Sequence, residues 1–259
     1  MILPIVAELL GGVGRLPAVE GALEALRRGL PCASLAGLTD TAKTLVVAHA
    51  ARSLGRPLIW IVDSDRRAEV LCEPLTYFHR ALGGRETEKI VVLPAHDVTP
   101  WQERSPHPEI SEARAVGLWR MATAQAAVVL VPVASALLRV NSPEFYQGLA
   151  RTLSRDEDVP SEELLAFLLA SGYERVETVE MPGQFAMRGG IVDAYSPESL
   201  RPIRIELLSD TVESLREFDP ATQRSTQPVE RATLLPLVER PRDAALVERL
   251  SFGWKNSWG

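Results

Sequence analysis

Cysteine is almost missing from this chain of 259 residues: there are two, Cys32 and Cys72. Far apart and in apolar surroundings, they read as two buried free thiols. They exclude a disulfide framework and the paired spacing of a zinc site. The four histidines are scattered, so no metal cluster is visible from spacing. Long apolar runs are also absent. The opening MILPIVAELLGG has no basic leader and is too short to span a bilayer, and no later stretch reaches spanning length without charges. Positive charge is in the minority, with 28 Lys and Arg against 34 Asp and Glu, a net charge of −6. An acidic chain is poorly suited to hold nucleic acid over its whole surface, although a local basic patch is compatible with that balance. These absences point to a cytoplasmic protein with no membrane partner. What is plentiful is apolar content, 46% of residues, enough for one large domain or two smaller ones.

The first part of the chain alternates helix and strand patterns. VEGALEALRRGL (19–30) and TAKTLVVAHAARSLG (41–55) have helical spacing, the latter stopping at Gly55 with Pro57 beyond. PLIWIVDSD, KIVVLPAHD and AAVVLVPVASAL are short apolar strands separated by further helices. This alternation predicts βαβ units and a parallel sheet covered on both faces. The character changes near residue 141. A helix is expected after Pro160 and Ser161, closed by Gly172, followed by strand-like segments with turn signals. RIELLSDTVESLREFD predicts two strands joined near Ser209-Asp210. The second region therefore reads as α+β with an antiparallel sheet. We expect domains at 1–140 and 141–240, with 241–259 the start of a following segment where the chain is cut.

Residues 37–44 read GLTDTAKT, close to the phosphate-binding pattern G-x-x-x-x-G-K-[ST]. Gly37, Lys43 and Thr44 fit. Ala42 replaces the second glycine, and Asp40 puts a carboxylate in a nest suited to anions. Alanine where a positive φ is required costs about 1 kcal/mol or more, and Asp40 repels phosphate and offers Lys43 another partner. Magnesium would also need an acid at the end of a core strand. Asp63 and Asp65 follow one strand, as acids often do, and AAVVLVPVAS ends with none. We read a strand-turn-helix kept for its fold, with neither cofactor nor metal expected and at most weak anion binding at the helix start. Asp156–Asp158 and Glu162–Glu163 read as a solvated loop and cap, and His96-Asp97 as a strand-end turn.

GQFAMRGGIVDAYS followed by RIELLSDTVESLREFDPATQRS resembles the interaction domain shared by the excision-repair protein UvrB and the bacterial transcription-repair coupling factor. LPAHDVTPWQERSPHPEISEAR and VPVASALLRV look like the coupling factor in particular. The resemblance covers nearly the whole chain. It implies a helicase-like α/β domain with a degenerate phosphate loop, followed by a smaller UvrB-type α+β domain. UvrB itself differs, with an intact GxTGTGKT loop and a tyrosine-rich DNA-clamping hairpin, where the segment from Val98 to Ile110 is short and carries only Trp101.

The coupling factor's UvrB-like module recruits UvrA to RNA polymerase stalled at a lesion and folds back on the rest of the protein to hold its motor in check. Polymerase, duplex DNA, ATP and Mg²⁺ are implied only for domains beyond residue 259. For UvrA the resemblance implies Arg175 and Arg188, with Phe185 as a neighbouring apolar anchor. Ala186 stands where UvrB commonly has a further arginine. Each has an ordinary structural alternative: Arg175 a solvated strand residue, Arg188 an ion pair with Asp193 or Glu206, Phe185 core packing. Arg204, alternating with Ile203 and Ile205, suits an outward face. Rival readings are a nucleotide-hydrolysing UvrB-type or helicase-type domain with a variant loop, and a DNA-binding module.

Overall fold

A computed structural model describes residues 4–99, 101–102 and 104–241. The segment expected to begin at 241 lies, beyond Pro241, outside the described residues. The chain divides into two units, Met1–Arg104 with Arg120–Pro143 and Ser105–Trp119 with Glu144–Gly259. The change of unit near residue 141 thus falls at Pro143, and residues 105–119 group with the second unit. One reason is Arg114: 1% exposed, it bonds Glu239 of the same unit at 2.8 Å.

The first unit contains α1 (Pro4–Val13), α2 (Pro17–Arg27), α3 (Asp40–Leu54), β1 (Leu58–Val62), α4 (Asp65–Ala81) and β2 (Lys89–Val92). Helix α5 (Pro108–Ala122) spans the division, and β3 (Ala126–Pro132) and the single turn α6 (Val133–Ala136) return to the first unit. The sheet is parallel, in the order β1-β3-β2. Its central strand is buried at every position, as a continuous apolar run requires. Thr39 caps α3, Ser64 caps α4, and Gly55 ends α3 in the left-handed region at φ 60°. Leu45 and Ala48 of α3 and Leu71 and Leu75 of α4 pack with Val128 and Leu130 of β3.

Residues 32–38, the apolar run CASLAGL that would supply the strand of the strand-turn-helix ahead of the loop, depart from expectation. They form no strand, and Cys32 is exposed rather than buried. Leu35 and Leu38 lean on a small cluster with Val19, Leu23 and Val46, so side-chain packing replaces the sheet ladder there. Among the described residues, no helix is long and apolar enough to cross a membrane.

The second unit continues through α7 (Pro143–Gln147), β4 (Arg151–Ser154), α8 (Ser161–Ala170), β5 (Glu174–Arg175), β6 (Gln184–Arg188), β7 (Ile191–Ala194), β8 (Ile203–Leu208), β9 (Thr211–Phe218), β10 (Ser225–Pro228) and β11 (Arg231–Leu234). Six strands form one sheet in the order β10-β9-β8-β7-β6-β5, antiparallel except for β5 against β6. Strands β4 and β11 make a separate antiparallel pair. The hairpin expected at Ser209-Asp210 is present, with Ser209 at φ 56°. Leu164 and Leu168, four apart on α8, reach the same core as Phe185, Val192, Ile205 and Leu215.

The β6–β7 connection needs glycine twice. Gly189 takes φ 58°. A Cβ on Gly190 would lie 2.5 Å from the Leu207 carbonyl oxygen, the backbone that binds this turn through Leu207 N–H to Gly190 O at 2.7 Å. Neither backbone can retreat without opening the β7–β8 ladder. Gly190→Ala should therefore lower unfolding free energy by about 1–3 kcal/mol in urea titration. An unchanged midpoint would show that the turn relaxes freely.

Candidate functional site

The loop at the start of α3 is already furnished with an anion. Gly37 keeps φ 74°, but α3 begins at Asp40, so Ala42 lies inside the helix. The Asp40 carboxylate accepts a hydrogen bond from Arg67 and stands 3.6 Å from the Lys43 ammonium. Thr44, whose hydroxyl would have to reach a metal on a nucleotide, is fully buried and donates to the Thr41 carbonyl at 2.8 Å. Asp65, one of the strand-end acids, accepts the Ala95 N–H at 2.8 Å and so fixes the end of β2. These residues do not fit a nucleotide with its magnesium: a carboxylate sits among the cations, and the hydroxyl is turned inward. Among the described residues, no group of three or more His, Cys, Asp or Glu could hold a metal ion.

The second unit's sheet has two unlike faces, set by register. Met187, Val192, Ile205 and Leu215 stand side by side on one face. On the other, Ala186, Asp193 and Arg204 form one row, and Arg188, Ile191 and Glu206 the next. Arg204 and Asp193 are direct cross-strand neighbours joined by two 2.8 Å bonds, and the guanidinium lies 4.9 Å from the Phe218 ring centroid. Arg204 is thus a part-buried structural cation rather than an outward one. The Asp193 carboxylate holds it still more firmly in the charged state than usual.

That pairing decides where Arg188 goes. Asp193 is engaged by Arg204, and Glu206 accepts the Ser214 hydroxyl at 2.5 Å. Neither acid pairs with Arg188, whose guanidinium instead donates to the Glu177 main-chain carbonyl. A carbonyl orients the group without neutralising it. Strand β5 covers only Gln184 and Phe185, so Ala186–Arg188 is an open strand edge among the described residues. There Arg175 and Arg188, both exposed, line one shallow groove with Val176, Glu177, Ala186 and Met187.

Phe185 requires correction. Its side chain is 0% exposed, packed among Leu164, Leu168 and Ile205, so it cannot meet a partner on this surface. The alternation QFAMR places it on the covered face, and α8 supplies the cover. Sequence reading missed Arg67 and Glu177. Arg67 had a signal, a cation in the first turn of the helix beside the loop. Glu177 acts through its backbone, which leaves no trace in side-chain chemistry.

Comparison with known proteins agrees with this architecture. Residues 152–239, all in the second unit, match the UvrB interaction domain. The sequence is 29% identical over 225 residues to the transcription-repair-coupling factor of Escherichia coli, covering 86% of this chain and 19% of that protein. The Bacillus subtilis counterpart is 27% identical over 235 residues, 89% of this chain and 20% of the relative. The UvrABC system protein B of Thermus thermophilus is 28% identical over 250 residues, 93% of this chain and 37% of its own length. The chain thus matches the UvrB interaction domain over residues 152–239 and is similar over most of its length to coupling factors, while spanning about a fifth of theirs.

The two candidate roles of Phe185 have different consequences. As a core residue, Phe185→Ala should cost about 3–5 kcal/mol in chemical denaturation. Full stability with lost partner binding would restore the anchor reading.

Proposed function

We propose that this chain is the non-catalytic, UvrB-like module of a transcription-repair coupling factor, recruiting UvrA to lesion-stalled RNA polymerase in nucleotide excision repair. The observation that carries this reading is the pair of exposed arginines, Arg175 and Arg188, sharing one groove at the open edge of the UvrB interaction domain. Neither makes an ion pair with another described residue. Guanidinium groups with uncompensated charge suit forked bonds to carboxylates, and arginine is enriched where binding energy concentrates. UvrA is accordingly expected to present acidic groups there.

The first unit supports the absence of catalysis in this module. Asp40 draws both Lys43 and Arg67, leaving no cationic cradle for a γ-phosphate. ATP and Mg²⁺ belong to motor domains elsewhere in the longer protein, as do the contacts with polymerase and duplex DNA. Two outcomes test this. In calorimetric titration with UvrA of the same organism, Arg175→Ala and Arg188→Ala should each weaken binding about tenfold or more, a loss of roughly 1.4 kcal/mol, with the circular dichroism spectrum unchanged. Wild-type affinity in both variants would remove the groove from the interface. The chain alone should show no ATP turnover in a phosphate-release assay; turnover abolished by Lys43→Ala would establish the enzymatic reading instead.

A further inference from the structure

A second concentration of uncommitted cations lies at the far end of α3, in the first unit. Helix α3 has 15 residues, a run of about 22 Å at 1.5 Å per residue, so this place is well separated from the loop at Asp40. A cavity of about 360 Å³ opens where α3 and α4 end and β1 and β3 begin. Arg52, Arg56, His79, Arg85 and Glu88 line it.

Arg85 is paired with Glu88, their Nε to Oε1 distance being 2.8 Å. Arg52 and Arg56 are exposed and make no ion pair among the described residues. Arg52, in the last turn of α3, also offsets the helix carbonyl end. Arg56, past the Gly55 cap, has no such role.

His79 is the telling residue. It is 4% exposed, and neither ring nitrogen has a hydrogen-bond partner among the described residues. The nearest acid, Glu88, stands 3.8 Å from Nε2, beyond hydrogen-bond reach. Gly84 makes room for the ring: a Cβ there would lie 2.3 Å from Nε2. A buried polar group without a partner is costly, and the ring of this one forms part of the cavity wall.

We infer that this cavity binds a small molecule bearing a phosphate or pyrophosphate group, gripped by the guanidinium forks of Arg52 and Arg56 beside the His79 ring. Guanidinium pairs match the oxygens of a phosphate. The volume falls within the usual range for small-molecule sites, about 300–1,000 Å³. Burial lowers the His79 pKa, so near neutral pH the imidazole carries one N–H to give and one lone pair to accept with.

The experiment is calorimetric titration of the chain with sodium pyrophosphate, with the imidazole resonances followed by NMR. The expected result is saturable binding that moves the His79 signals, weakens about tenfold in Arg56→Ala, and persists in Lys43→Ala. Arg56 is exposed, so that variant keeps its fold. Absence of saturable binding, indifference to Arg56→Ala, or loss in Lys43→Ala would each overturn the assignment.

Discussion

The forked pair between Asp193 and Arg204 governs the second unit. It joins β7 to β8 at the middle of the six-stranded sheet, one row from the edge turn, and it engages one of the two acids expected to pair with Arg188. A part-buried pair of this kind contributes little net stability against an apolar replacement, yet removing one partner leaves a costly unpaired charge. Its larger consequence here is electrostatic. Asp193 belongs to Arg204, and Arg188, with no ion pair among the described residues, shares its groove with Arg175.

The same logic runs in reverse in the first unit. There Asp40 brings a carboxylate among Lys43 and Arg67, and the cations that could have met a phosphate face an internal anion instead. One acid thus pairs with the loop cations in one unit, while another, in the second, pairs with Arg204 and not with Arg188. Both effects follow from Coulomb attraction between groups in or near contact, where neighbouring charges outweigh helix-end dipoles.

Much of this was legible in the residues. The alternation of short apolar strands with helices announced the parallel sheet of the first unit, and RIELLSDTVESLREFD announced the β8–β9 hairpin of the second, because period and turn chemistry are local. Residues 32–38 misled, since a short apolar run carries no period that separates a strand from a packed loop. The β4–β11 pair went unread because RTLS is short and its partner is distant in sequence. Phe185 shows a different limit: alternation says that Phe185 and Met187 share a face, but which face is covered depends on α8. The partner of Asp193 was equally hidden, because register decides who stands opposite whom.

On the proposed function, UvrA binds at the β5–β6 edge and the loop takes no part. Hydrogen–deuterium exchange of the chain with and without UvrA tests it most directly. Protection should concentrate in residues 174–188, with no change in residues 37–44. Protection centred on the loop, with the strand edge exchanging as before, would contradict it.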